Sequence, residues 1–300
     1  MDIIDLQFQG RAGVIATAVL RGPQGLTLID PGPTSCLGTL EEGLARLGGT
    51  LRDVHLILLT HIHLDHAGAT GSILARVPHI RVSVHERGAP HMTDPARLLA
   101  SATRLYGDRM DTLWGAFEPV PASQVEALVG GERLDVGGHP VRVAYTPGHA
   151  VHHVSYLDES DGTAYVGDTC GVRVVADYTI APTPPPDVDL ERWDQSLAAI
   201  DAWNPTSLLV THFGTVASAR AHIARYREVL SRTGEVVRRS LIQGESDEER
   251  VTGFVTLMRA EARGRLSERE AVVLELAAPF EQIWAGLARY WRKQAADRSA

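Results

Sequence analysis

The stretch Thr60-His61-Ile62-His63-Leu64-Asp65-His66-Ala67-Gly68 limits what this chain can become more than any other. It follows the short aliphatic run from Val54 to Leu59, which has the length and character of a buried strand. Three imidazoles and a carboxylate therefore leave the end of one strand within six residues. A loop anchored at a rigid strand end can aim several side chains at one point. Imidazole nitrogen and carboxylate oxygen are the donors that a Zn²⁺-like ion takes.

Three further segments repeat this arrangement, each placing a potential donor just after an expected strand. Thr146-Pro147-Gly148-His149 follows 141–145, Gly167-Asp168-Thr169 follows 163–166, and Thr211-His212-Phe213-Gly214 follows 207–210. A single histidine after a strand is usually a hydrogen-bonded loop residue. Together with the 61–66 loop, however, these segments give seven candidate ligands, enough for two ions. Asp30 also closes a strand, Leu26–Asp30, before Pro31-Gly32-Pro33. It is either turn chemistry or a carboxylate that orients a ligand loop.

Composition excludes several classes. A net charge of −8 disfavours general nucleic-acid or anionic-membrane binding, because both need a positive field. Cys36 and Cys170 cannot build a disulfide framework. The start Met1-Asp2-Ile3-Ile4-Asp5 lacks a signal-peptide pattern, and no uncharged run has the length of a membrane span. The expectation is a soluble cytoplasmic protein acting on a small molecule, with neither nucleic acid nor membrane as partner.

Along the chain, strands are expected at 3–8, 14–20, 26–30, 54–59 and 80–84, and again at 133–136, 141–145, 153–157, 163–166 and 207–210. Helices are expected at 36–47, at 69–77 and from Asp189 to about Trp203. Residues 85–121, rich in aromatics and proline, read as short helices over one edge of the core, a lid or packed insertion. Everything after Gly214 reads as helix, with capping boxes at Ser246/Glu249 and Ser267/Glu270. An apolar stripe of Phe280, Ile283, Trp284, Leu287 and Trp291 follows Pro279. The stripe serves either to wall a pocket or to form a homodimer interface.

Leu28-Ile29-Asp30, His61-x-His63-x-Asp65-His66, Pro147-Gly148-His149, Gly167-Asp168 and Thr211-His212 together resemble the metallo-β-lactamase-fold hydrolase superfamily over residues 3 to about 214. The resemblance implies an α/β architecture, a four-layer αββα sandwich with an α-helical C-terminal extension. The catalytic domain would span 1–215, including the 85–121 insertion, and the extension 216–300. Two divalent ions are implied as cofactors, Zn²⁺ first and iron or manganese as alternatives. His61, His63 and His149 would hold one, and Asp65, His66 and His212 the other. Asp168 would bridge them and Asp30 would support the loop. Asp65 would also act catalytically, beside a hydroxide generated between the ions.

Within that superfamily, an aspartate at position 168 argues against β-lactam hydrolysis. The seven-ligand set is similar to that of glyoxalase II-like thioesterases and lactonases, which makes an ester, thioester or lactone the expected substrate. A single-iron sulfur dioxygenase-like oxidoreductase and a phosphodiesterase of the same fold are the alternatives. Tyr178 is a candidate for the tyrosine that lactonases carry beyond this aspartate. His152 and His153 read as strand-entry residues, Cys170 as a buried inert thiol. Residues 85–121, Arg173–Thr183 and the tail are the expected pocket walls. No substrate-binding residue is identifiable.

Overall fold

The structure, a computed structural model, describes residues 1–175, 178–242 and 244–299. Two six-stranded sheets form its centre. The first runs in sequence order: β1 (Asp2–Asp5), β2 (Ala16–Gly22), β3 (Gly25–Ile29), β4 (Val54–Leu58), β5 (Arg81–His85) and β6 (Val125–Leu128). The second has the order β14 (Gly214–Val216), β13 (Ser207–Val210), β10 (Thr163–Gly167), β9 (Val154–Asp158), β8 (His139–Tyr145) and β7 (Arg133–Val136). A separate hairpin joins β11 (Val172–Val175) to β12 (Tyr178–Ile180).

The period-2 alternation of strand side chains explains the layering. Ala18 and Leu20 of β2 face the second sheet, where they meet Val143, Tyr156, Tyr165 and Leu209. Val19, between them, faces the other way, into the cluster that holds Leu40 and Leu44 of α1 (Leu37–Arg46) and Ile73 of α3 (Thr70–Arg76). In β10 and β13, Tyr165 and Leu209 point inward. Ala164, Val166, Leu208 and Val210 meet Trp193 and Leu197 of α7 (Leu190–Ala202) and Tyr226 of α8 (Ala219–Ser240). The result is the expected αββα sandwich. Each fully buried leucine or valine contributes about 1.5–3 kcal/mol.

Short helices α4 (Ala89–Thr93), α5 (Ala96–Tyr106) and α6 (Met110–Trp114) lie within the 85–121 segment. Trp114 stacks on buried Phe8 with centroids 5.3 Å apart, so this segment is pinned to the core. After α8 come α9 (Asp247–Arg263), α10 (Glu268–Ala277) and α11 (Phe280–Ser299). Both expected capping boxes form. Phe280, Ile283, Trp284 and Leu287 are buried against Val237, Phe254 and Met258, so the stripe is covered within the chain. No single helix among the described residues is long and apolar enough to cross a membrane.

Some boundaries differ from expectation. The first strand stops at Asp5, because Gln7 (φ 50°) and Gln9 (φ 52°) turn left-handed and Phe8 enters a 3-10 turn. The chain after Gly214 is not all helix: β14 pairs antiparallel with β13 first. β6 has no counterpart among the expected strands, since Val125, Glu126 and Ala127 are largely exposed and show no apolar alternation.

Candidate metal centre

Strand direction brings the donors together. β3 and β4 run parallel in one sheet, as do β10 and β13 in the other. β8 and β10 are each antiparallel to β9, so β8 runs with β10. The C-terminal ends of all five strands therefore share one edge of the sandwich. There the sheets are tied by Val154 N donating to Thr60 O at 2.8 Å and Ala16 N to Thr211 O at 2.9 Å. Gly148 (φ +136°) permits the turn into His149, since a Cβ there would stand 2.4 Å from the Cα of Trp193.

All seven candidate ligands meet at this edge. His61 Nε2 and His149 Nε2 lie 3.0 and 2.9 Å from His63 Nδ1. Tetrahedral nitrogen donors around zinc stand about 3.3 Å apart, so this triangle is close to a ligand spacing. His212 Nε2 and His66 Nε2 lie 3.3 and 3.8 Å from Asp65 Oδ2. Asp168 faces both groups. Its Oδ1 is 3.3 Å from His66 Nε2 and 3.5 Å from His212 Nε2, and its Oδ2 is 3.4 Å from His149 Nε2. His61–His63–His149, His61–His66–Asp168 and Asp65–His66–His212 each bring their ligand atoms within 4.8 Å of one another.

Three of these atoms test the fit. His66 Nε2, His212 Nε2 and Asp168 Oδ1 are buried without a hydrogen-bond partner. Buried polar atoms are nearly always satisfied. Three orphans aimed at one another, in an all-imidazole-and-carboxylate donor set, fit a divalent cation.

The opposite face of each ring is tied down. His66 Nδ1 donates to Asp30 Oδ2 at 2.8 Å, His149 Nδ1 to Pro182 O at 2.8 Å, and His212 Nδ1 to Val14 O at 2.6 Å. Thr60 Oγ1 donates to Asp30 Oδ2 at 2.7 Å and so accepts from His61 Nδ1 at 3.1 Å. Four rings thus keep Nε2 toward the centre. His63 instead presents Nδ1. Asp30 sits in the left-handed region (φ 53°), a conformation aspartate tolerates better than most residues.

Charge divides the site into two halves. Burial, then the neighbouring imidazoles, pushes His61 well below its ordinary pKa. Burial, then His149, brings His63 down to about 3. Burial also opposes charge on His66, but Asp168, Asp65 and Asp30 outweigh it and hold its pKa well above the ordinary value. Asp168 and Asp65 raise His212 against burial in the same way. Despite burial, His66 and His212 bring the Asp65 carboxyl down to about 2. One half is neutral and nitrogen-rich; the other holds two carboxylates that need positive charge.

The family model of the metallo-beta-lactamase superfamily matches residues 10–212, which include every one of these ligands. The chain belongs to this superfamily. It is 29% identical over 207 residues to the metallo-beta-lactamase fold-containing protein ST1585 of Sulfurisphaera tokodaii, a match covering 68% of this chain and 74% of that one. The solved ST1585 structure superposes with a TM-score of 0.65 at 22% identity, covering 94% and 93% of the two chains. The family protein TTHA1429 of Thermus thermophilus superposes with a TM-score of 0.71 at 23% identity, covering 94% and 89%. These likenesses establish the fold. The hydroxyacylglutathione hydrolase of Aeromonas hydrophila is 27% identical over 151 residues, 50% of this chain and 44% of that enzyme.

In this member of the superfamily the centre opens into a cleft of about 650 Å³, lined by α5, α6, Pro182–Asp187 and the junction of α10 with α11. Two expected walls are therefore present. The third needs correction: of Arg173–Thr183, only Pro182 and Thr183 reach the cleft among the described residues, because the β11–β12 hairpin packs against the tail. Tyr178 goes with it, and the Arg265 guanidinium lies 5.7 Å over its ring, so it does not line the metal cleft. Cys170 is fully buried, and burial pushes its thiol pKa up, as an inert thiol requires.

His152 and His153 precede β9 as expected, yet both are part of the site's surroundings. His153 Nε2 accepts from the backbone N of Asp168 at 3.3 Å. His152 lines the cleft, and its Nδ1 accepts from Ile62 N at 3.4 Å. Sequence reasoning also missed Tyr106, which lines the cleft and whose hydroxyl donates to Gln282 Oε1 at 3.4 Å. Its helical spacing within α5 resembles that of any packed aromatic.

Proposed function

We propose that this protein is a hydrolase using two divalent ions, zinc foremost, to cleave a small-molecule ester, thioester or lactone. The observation that carries this reading is Asp168, whose two oxygens face two separate donor groups. His61, His63 and His149 would hold one ion, and Asp65, His66 and His212 the other. The relative named hydroxyacylglutathione hydrolase supports hydrolysis of an acyl bond.

Two ions held there would supply a water-derived nucleophile at neutral pH and Lewis acidity toward a carbonyl oxygen. The chain's own residues do the rest. Asp65 is partly open to the cleft and stays ionised, so it orients the attacking water by accepting its hydrogen bond. His152 accepts from Ile62 N through Nδ1, which leaves the proton on Nε2 for donation into the cleft. Burial, then Asp65, pushes the Tyr106 hydroxyl pKa up, so it remains a donor. Phe8, Trp114 and Leu113 exclude bulk water from one side.

The test is elemental analysis of protein purified without added metal, together with a panel of thioester, lactone and phosphodiester substrates. About two zinc ions per chain and cleavage of a thioester or lactone are expected. One iron with persulfide-dependent oxygen uptake would replace this reading with the dioxygenase one. Cleavage of the phosphodiester alone would replace it with a phosphodiesterase.

A further inference from the structure

One wall of the cleft carries more positive charge than the centre requires. Arg87, Arg97 and Arg109 all line it, all are exposed, and among the described residues none makes an ion pair with a carboxylate. The chain has other arginines outside any ion pair among the described residues, such as Arg11 and Arg52, but neither lines the cleft. The chain's net charge is −8, so acidic partners are plentiful. Elsewhere Arg21 pairs with Asp2, Arg76 with Glu41, Arg227 with Asp194 and Arg232 with Glu261. Arg259, which also lines the cleft, is neutralised by Glu275 at 2.8 Å and Glu281 at 3.7 Å. Among the arginines that line the cleft, the unpaired ones are thus those of the 87–109 segment.

Arg87 is also held in position there. The Arg87 guanidinium rests 5.9 Å over the Tyr145 ring, and the Tyr145 hydroxyl is anchored to Val151 O at 2.8 Å. Arg97, Tyr106 and Arg109 line the same cleft as His63, Asp65 and Asp168, so this wall faces the space above the centre. Guanidinium groups bind phosphate and carboxylate through paired donors. The centre itself would engage the reacting carbonyl. A second anionic group on the substrate is what this wall is suited to receive.

We propose that Arg87, Arg97 and Arg109 form a subsite for an anionic arm of the substrate, a phosphate or carboxylate group remote from the bond that is cleaved. This deepens the hydrolase reading and rests on it for the reaction, though not for the binding. The substrate class becomes an anionic ester or thioester rather than a neutral lactone.

The test compares three thioesters with one acetyl group and different arms: coenzyme A, which carries phosphates, glutathione, which carries carboxylates, and neutral N-acetylcysteamine. With the metal-loaded full chain, kcat/KM for one anionic arm should exceed that for the neutral arm by about tenfold or more, mostly through KM. The double variant Arg97→Ala/Arg109→Ala should collapse that ratio, while Arg52→Ala, exposed and outside the cleft, should keep it. The anionic arm that is preferred tells phosphate from carboxylate. Calorimetric binding of coenzyme A and glutathione themselves gives a readout without turnover, and the double variant should weaken it about tenfold. Arginine-dependent binding without thioester cleavage would leave the subsite standing and remove the thioesterase branch of the hydrolase reading. Equal handling of neutral and anionic arms in both assays, or a ratio unchanged in the double variant, would overturn the subsite.

Discussion

Asp30 Oδ2 lies 2.8 Å from His66 Nδ1, and the same carboxylate accepts from Thr60 N, Thr60 Oγ1 and Thr211 Oγ1. One buried side chain thus orients loops from both sheets. Asn at this position keeps the volume but turns an amide NH₂ toward existing donors. Asp30→Asn is expected to weaken metal retention about 10–100-fold. It should also cost about 1–3 kcal/mol of stability for each donor left unsatisfied. Chelator competition and thermal melting measure the two effects separately.

Asp168→Asn tests the two-ion reading directly. Loss of a carboxylate facing both donor groups should lower bound metal from about two ions to one per chain. Hydrolysis should fall at least about a hundredfold, beyond the effect of residues that only support ligands. Full metal content with undiminished turnover would contradict it.

Metal binding should release protons. His66 is held well above the ordinary 6.5 and His212 above it, so in the ion-free protein both hold a proton to higher pH than a free imidazole does. His61, His63 and His149 are lowered and release none. Ligation must displace the first two protons, so affinity should fall as pH falls, and release should vanish above the raised values. Calorimetry of zinc binding in buffers of different ionisation enthalpy reads the count. Zero release at pH 7 would contradict the assignment.

Gly148→Ala should be severe. A Cβ there meets the Trp193 backbone at 2.4 Å in a φ +136° conformation. Strain of about 1–3 kcal/mol is expected from the backbone alone, and the clash displaces His149. Gly10→Ala, with φ +69° and nothing within 4 Å, gives the cost of a positive φ without crowding, in a region alanine reaches more readily than +136°. The melting temperatures of the two variants decide whether crowding at Trp193 matters.

Gly286→Ala links the tail to the centre. Thr183 Oγ1 donates to Ile283 O at 3.0 Å, and the adjacent Pro182 O holds His149 Nδ1. A Cβ at position 286 would meet the Thr183 carbonyl oxygen at 1.9 Å. Alanine normally favours a helix by about 1 kcal/mol over glycine. Here it should instead lower both stability and metal affinity, measured by melting and by chelator competition.

Much of this was legible in the chain. Val54–Leu59 announced a strand end, and His61, His63, Asp65 and His66 announced donors, because short-range spacing encodes both. His149, Asp168 and His212 were visible by the same rule. What was not legible depends on contacts between distant segments. Nothing near Tyr106 or Arg97 in sequence says that α5 faces the centre. Tyr178 lay at a plausible spacing from Asp168, yet the β11–β12 hairpin carries it to the tail. Asp30 could not be separated from turn chemistry without seeing Thr60 and Thr211 beside it.

The donor set is divided between the two sheets. The first contributes His61, His63, Asp65 and His66, and the second His149, Asp168 and His212. In the two-ion reading, neither half can hold an ion with its full ligation, so coordination rivets one sheet to the other. Opening the sandwich and discharging its ions become a single event, and free zinc opposes that opening by mass action. The same division makes the protein a natural candidate for splitting into two fragments that reassemble only when metal is supplied.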